Sequence, residues 1–415
     1  MSPALIPEIN AKRLLDDLQQ LRSFGATGSG VVRLALSPVD VAARRWLAAR
    51  MEAAGLVATV DGVGTVFGRS RRAGPTLLIG SHSDTQPTGG WLDGALGVIY
   101  GLEIARALGE QPETQDLAID VASWCDEEGT FAGYLGSRSF VGEAVDDAIA
   151  TATDREGQRL EDALRQAGLL GQPRMRLEPG RHVAYLEPHI EQGGRLEAAG
   201  KSIGVVTTIV GIRELRVTFT GQRNHAGTTP MAIRRDAAMA LIHFVWQLDA
   251  AFRALADADT VWTIGRTELD PGSLSVVPGK AELFLQFRDA DPMRLRAMEA
   301  KLADLVQRTN ATGAVQVSLD EHDAPSEPVA MDTGVQGHIA AAAEAIAPGD
   351  WIRMPSGAGH DAQVIAPHLP SGMLFIPSIG GISHDFTEDT GLDQIVLGCR
   401  VAARAAVNIL RDAAN

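Results

Sequence analysis

Cysteine is nearly absent from this chain: 415 residues contain two, Cys125 and Cys399. Neither sits in a CxxC pair, and two isolated thiols cannot build a disulfide framework, which points to a reducing compartment. Basic residues are also scarce, with 37 Lys+Arg against 52 Asp+Glu and a net charge of -15. That balance disfavours nucleic acid or an anionic membrane surface as partner, since both require a basic face. It leaves room for a small anionic substrate, which needs only one local cation. No apolar run approaches the ~18 residues of a membrane span. The opening stretch MSPALIPEINAKRLLDDL has no basic region followed by an apolar one. A signal peptide is therefore not expected, and the cytoplasm is the expected location. There is no HExxH, which removes the usual helical zinc-protease reading. GVGTVFGR (62–69) lacks the context of a nucleotide loop and reads as a strand turn. Repeats and low-complexity tracts are missing as well.

The composition that remains, 45% hydrophobic and 21% charged, is that of a globular protein. Its length exceeds one ordinary core, so two domains are expected. Leu14, Leu15, Leu18 and Leu21 mark one face of a helix over 9–24. Ser37 as N-cap and Pro38 in the first turn open a second helix, which stops at Gly55. Apolar strands then alternate with helices: TLLIGSH, DLAIDVASWCDEEG, HVAYLEPHIEQG and, near the end, GMLFIPSIGG. Such blocks argue for a helix-covered α/β sheet, in which ligands gather beyond the carboxyl ends of the strands. The middle of the chain reads differently. Strand (212–220), helix (232–256), strands (259–268 and 275–288), helix (292–309) and strand (313–323) follow the order of a ferredoxin-like domain. The expected division is 1–210 with 327–415 around an insert of 211–326.

The chemistry lies at the strand ends. SHSDTQPTGGWLDGALG (81–97) leaves an apolar strand and at once presents His82, Asp84 and Asp93 on a glycine-rich loop. In SWCDEEGTF, the acids Asp126, Glu127 and Glu128 crowd together and repel unless a cation lies between them. One glutamate can bind a metal while its neighbour serves as general base. Only a turn lets both share a pocket, because neighbours on an extended chain point to opposite faces. In LEPHIEQG, Glu191 could orient the imidazole of His189, and Gln192 offers a donor and an acceptor to a substrate amide. His384 follows a glycine-rich turn in GGISHDFTED. Together His82, Asp93, Glu128, His189 and His384 make five candidate ligands. Two metals bridged by one carboxylate and a water require about this set. Mixed His and carboxylate ligands suit zinc, manganese or cobalt better than magnesium or calcium.

The series GSHSDTQPTGGWLDGALGV, DEEGTFAGYLGS, LEPHIEQGGRLE, GQRNHAGTTPMAIRRDA, VVPGKAELFLQFRDAD, MPSGAGHDA and SIGGISHDFTED, in that order, resembles the N-carbamoyl-L-amino acid and allantoate amidohydrolases. These are the amidases of the hydantoinase/carbamoylase group, and the likeness runs over nearly the whole chain. It implies two divalent ions, zinc or manganese with cobalt or nickel as alternatives, held by His82, Asp93 (bridging), Glu128, His189 and His384. It implies Glu127 as base and Asp84 as the partner that orients His82. It also implies a mixed, helix-covered catalytic sheet, with the insert serving as an α+β lid/dimerisation domain of a homodimer. His225 on that insert would reach the partner subunit's site and stabilise an oxyanion, with Asn224 setting its pose. Arg288 would clamp a substrate carboxylate, and Gln192 would meet the carbamoyl end. His360, with Asp361, would stand near the substrate. The expected reaction is hydrolysis of an N-carbamoyl-L-amino acid or related ureido acid. Allantoate, and then small dipeptides or N-acyl-amino acids, are the alternatives; a non-catalytic binding module is the remaining one.

The chain departs from the family pattern on the substrate side. Ser275 stands where relatives carry asparagine, and EEGTF lacks the usual arginine, placing Thr130 beside Phe131. Trp91 is bulkier than the usual residue, and Asp385 and Phe386 follow His384.

Overall fold

The computed structural model describes residues 7–322 and 324–414. The chain forms two compact units, one of residues 1–207 with 330–415 and one of residues 208–329.

The larger unit is built on a mixed sheet with spatial order Ile203–Ile209, Ser371–Ile376, His182–Ile190, Thr76–His82, Ala118–Trp124, Val66–Arg69 and Val57–Val60. The four strands from Ser371–Ile376 to Ala118–Trp124 are parallel; Ile203–Ile209 and Val66–Arg69 run antiparallel to them, and Val57–Val60 runs antiparallel to Val66–Arg69. Strands Thr76–His82 and Ala118–Trp124 are buried at every position. That follows from helices covering the sheet, and it is why their sequences read as apolar blocks rather than alternations. Helix Ala95–Glu110 lies against the centre of the sheet and is buried through Leu108. Its close approach depends on Gly97: a Cβ there would lie 2.4 Å from the carbonyl oxygen of Pro188. Ser37 caps helix Pro38–Ala53 by accepting the N–H of Asp40, and helix Leu392–Ala413 closes the unit.

The smaller unit is a four-stranded antiparallel sheet of order Val261–Asp270, Lys280–Asp289, Gly211–Thr220 and Gln316–Glu321. Helices Ala237–Arg253 and Pro292–Thr312 complete the β-α-β-β-α-β order of a ferredoxin-like fold. Strand Lys280–Asp289 alternates strictly, burying Ala281, Leu283, Leu285 and Phe287 against the helices. The expected strand 275–288 is two pieces, Val276–Val277 and Lys280–Asp289; Pro278, which has no N–H to give a ladder, lies between them. The expected helix 232–256 narrows to Ala237–Arg253, capped by Asp236. Of the expected strand 313–323, Gln316–Glu321 forms, and residue 323 lies outside the described residues.

Candidate active site

The parallel strands of the larger unit deliver the candidate ligands at their carboxyl ends. His82 is the last residue of its strand, and His189 lies one from the end of His182–Ile190. His384 follows the strand Ser371–Ile376 after a short turn. Beyond Ala118–Trp124, Asp126 takes a left-handed conformation, φ 58°. Its carboxylate accepts the N–H groups of Phe131 (3.0 Å) and Ala132 (2.7 Å), folding the loop back on itself. This is the turn that lets Glu127 and Glu128 face one pocket. Gln192 and His384 are also left-handed, at φ 58° and 55°. Such conformations are uncommon without glycine and concentrate at functional sites.

Two groups of side chains converge there, His82–Asp93–His189 and Asp93–Glu128–His384, and they share Asp93. Asp93 Oδ1 lies 3.3 Å from His189 Nε2 and 3.7 Å from His82 Nε2, while Oδ2 lies 3.2 Å from His384 Nε2. Glu127 Oε2 stands 3.6 Å from His82 Nε2, and Glu128 Oε2 3.7 Å from His384 Nε2. The imidazole tautomers test whether cations fit. His82 Nδ1 meets the carbonyl of Asp84 at 3.0 Å, and His189 Nδ1 that of Ile190 at 2.8 Å. A carbonyl only accepts, so each Nδ1 carries a proton and each Nε2 turns its lone pair to Asp93. A lone pair facing a carboxylate repels it unless a proton or a metal ion lies between. Three imidazoles with carboxylate oxygens are the donor set that suits zinc or manganese.

The electrostatics agree. Burial, then the neighbouring Glu128, Asp361 and Asp93, push the Glu127 carboxyl well above its ordinary range. Burial and Asp93 push Glu128 up to about 8. Contact with Asp93 raises His384 to about 9. For Asp93 burial acts upward, yet His189 and His384 hold it well below the usual carboxylate range. Crowded acids of this kind are relieved by a divalent cation.

The loop carrying Asp93 is fitted tightly to His82. At Gly94, φ is 63° and a Cβ would lie 2.4–2.5 Å from three atoms of the His82 ring. Gly94→Ala is expected to push the ring aside and weaken metal binding by about 10–100-fold, the usual cost of disturbing a ligand's support. Metal titration against the wild type checks this.

Several supports were not legible in the sequence. Arg44, fully buried, donates to Asp40 (2.7 Å) and to Asp84 (3.3 Å). Gln86 donates its side-chain N–H to Glu128 Oε2 at 2.8 Å and its backbone N–H to Oε1 at 3.2 Å. Glu388 accepts the N–H of Asp93 at 3.1 Å and the hydroxyl of Ser383 at 2.7 Å, tying the Asp93 loop to the His384 loop. Gln86 and Glu388 stood within quoted motifs; only their proximity to strand-end ligands could have marked them.

Other candidates stand differently from expectation. The Asp84 carboxylate does not orient His82; the Asp84 carbonyl does, while the carboxylate accepts the N–H of Glu128 (3.2 Å) and pairs with Arg44. Two residues past a strand end, the backbone reaches the ring first. Glu191 orients no imidazole: its oxygens accept the N–H groups of Arg195 and Leu196, at the start of helix Arg195–Ala199. His360 is not on a substrate-facing wall. It is buried, bonds Ser356 Oγ at 2.8 Å and packs its ring 4.5 Å from that of His189. Gln192 does reach the site, its amide nitrogen 3.1–3.2 Å from both oxygens of Asp93 and 3.3 Å from His384 Nε2. Its Oε1 is buried without a hydrogen-bond partner among the described residues. Cys125 is a buried thiol.

On the smaller unit, Asn224 and His225 pair with Val277 and Val276, and the Ser275 carbonyl accepts the N–H of Ala226. These three candidates are therefore neighbours. His225 Nδ1 accepts the N–H groups of Gly227 (3.0 Å) and Thr228 (3.2 Å), which puts its proton on the exposed Nε2. Arg288 is not with them. It lies at the other end of the ladder, between Val261 and Ile212, where its Nε donates to Gln286 at 2.8 Å. Eight steps along the strand from Lys280 amount to about 27 Å.

The fold and the strand-end cluster define a hydrolase of amide C–N bonds, and the chain belongs to peptidase family M20/M25/M40, whose model matches residues 78–408. Within it, the chain is 34% identical to an N-carbamoyl-L-amino-acid amidohydrolase of Paenarthrobacter aurescens, over 96% of this chain and 98% of that one. It is also 34% identical to the allantoate amidohydrolase of Escherichia coli (strain K12), over 94% and 95%. A crystal structure of an amidase of the hydantoinase/carbamoylase family from Burkholderia phymatum matches with a TM-score of 0.94 and 65% identity, covering 99% of this chain and all of that one. The family expected from the motifs is the family found.

Proposed function

We propose that this protein hydrolyses the carbamoyl C–N bond of N-carbamoyl-L-amino acids or related ureido acids, releasing amino acid, ammonia and carbon dioxide. The observation that carries the reading is the pair of ligand groups sharing Asp93, with Glu127 beside them. His82, Asp93 and His189 would hold one divalent ion, and Asp93, Glu128 and His384 a second. When bound, such ions polarise a carbonyl and make water acidic enough to attack at neutral pH. Glu127 is the base: it accepts the proton of the attacking water and returns it to the leaving nitrogen. Gln192 presents its amide to the carbamoyl end. His225 donates from Nε2 to the oxygen that gains charge.

Arg288 pairs with the substrate carboxylate in this reading. Arg288→Ala is then expected to raise KM for carboxylated substrates by about tenfold or more, with a smaller change in kcat. An unchanged KM, read from initial rates, removes it from the site.

Arg288 lies about 27 Å along its strand from Lys280, the end next to the Asn224–His225–Ser275 cluster, and that span exceeds the length of a small ureido acid. Both ends can serve catalysis only if they belong to different active sites, which favours a homodimer through the smaller unit. Met239, Ile242 and Trp246 follow helical spacing on Ala237–Arg253 and are exposed, Trp246 to 75%. An apolar stripe of that kind suits burial against a second copy. A cytoplasmic location fits the two free thiols. Among the described residues no helix is long and apolar enough to cross a membrane.

Allantoate remains the second reading, because identity to the relative named for each activity is the same, 34%. The metal-loaded protein should be given N-carbamoyl-amino acids, allantoate and dipeptides, and ammonia assayed against free amino acid. Ammonia from a carbamoyl amino acid supports the reading; release from allantoate alone selects the alternative; amino acid from dipeptides alone overturns both.

A further inference from the structure

A cavity of about 820 Å³ opens in the larger unit beside the Asp93–Glu128–His384 group. Its volume is in the range of small-molecule sites. Glu128 and Gln86 form one wall, so a candidate metal ligand itself lines the cavity. Leu36, Val41 and Phe131 supply apolar surface, and Thr130 Oγ1 accepts the N–H of Ala35 at 3.3 Å, joining two of the walls.

The charged groups on this cavity differ in what they are bound to. Arg45, from helix Pro38–Ala53, and Arg155, from the 152–159 loop, both line it. Among the described residues neither guanidinium has a hydrogen-bond or ion-pair partner. The acids are mostly committed. Asp154 accepts the N–H groups of Glu156 (2.9 Å) and Gln158 (2.8 Å), and Glu128 is held by Gln86. Among the described residues Glu156 is the one carboxylate on the cavity without such a partner. Glu128 faces the candidate metal group and Asp154 holds its own loop, so Arg45 and Arg155 are the two groups on the cavity left to pair with a ligand's carboxylate.

We infer that this cavity is a subsite for the substrate's side chain, and that the preferred substrates are ureido acids whose side chain ends in a second carboxylate. The apolar walls pack its methylenes, while Arg45 and Arg155 meet its charge. This rests on the ureido-acid reading above and specifies it. The roles divide cleanly: the carbamoyl group lies at the Glu127–Glu128 loop, and the second acid reaches the far wall.

The test compares N-carbamoyl-L-glutamate with N-carbamoyl-L-glutamine, which has nearly the same shape but no charge. The wild-type protein is expected to favour the glutamate compound by about tenfold in kcat/KM, and less so as salt is raised. In the Arg45→Gln, Arg155→Gln double variant the ratio is expected to fall to about one. Both positions are exposed, so folding should be intact, and circular dichroism verifies it. Parity in the wild type, or a preference that survives the double variant, overturns the inference while leaving ureido-acid hydrolysis in place. If neither compound is turned over, the carbamoyl-amino-acid reading is what fails. The cavity is then judged by calorimetric Kd for the same two compounds: a glutamate preference lost in the double variant supports it, and equal binding overturns it.

Discussion

Glu127→Gln is expected to lower kcat by about 10³-fold, within the range that general acid–base catalysis contributes, while metal content stays at the wild-type level. The separation of effects follows from geometry. Glu127 belongs to neither ligand group, yet its Oε2 is 3.6 Å from His82 Nε2. It is close enough to serve a water at the site without being needed to hold a cation. Glutamine keeps the shape and removes the proton acceptor. Steady-state rates with elemental analysis of the same sample check both halves. Near-normal turnover rules out Glu127 as the base, and lost metal makes it a ligand.

The second large effect is expected at Asp93, the residue common to both groups. Asp93→Ala should abolish binding at both positions and reduce kcat/KM by about 10³-fold or more, the scale set by several kcal/mol of metal-assisted stabilisation. His384→Ala should spare the His82–Asp93–His189 group and weaken only the other. Calorimetric titration with zinc or manganese distinguishes the two variants. Equal stoichiometry in both would mean that Asp93 does not bridge.

The fold was readable where local chemistry dictates local structure. Apolar strand blocks, the Ser37–Pro38 helix start and the ferredoxin-like order of the insert all appear in the structure because burial and capping leave their mark in adjacent residues. Boundaries moved where a single residue intervened, as Pro278 does between Val276–Val277 and Lys280–Asp289. The five ligand candidates were legible for a related reason. His82 and His189 stand at the ends of parallel strands, the other three lie on the segments that leave such strands, and parallel strands end at one edge of the sheet. What surrounds them was hidden, because it arises between distant segments. Nothing in its own neighbourhood tells that Arg44 reaches Asp84, 40 residues on, or that Glu388 accepts from Asp93, 295 residues away. Likewise the motif placed His360 near the substrate, and only the fold shows its ring 4.5 Å from that of His189.

In the proposed centre Asp93 would lie between two cations, each completed by residues from different strand ends. Anomalous diffraction from crystals grown with zinc or manganese tests it most directly. Two peaks about 3.5–4 Å apart are predicted, one within bonding distance of His82 and His189, the other of Glu128 and His384, with Asp93 touching both. A peak elsewhere, or none among these five side chains, would contradict it.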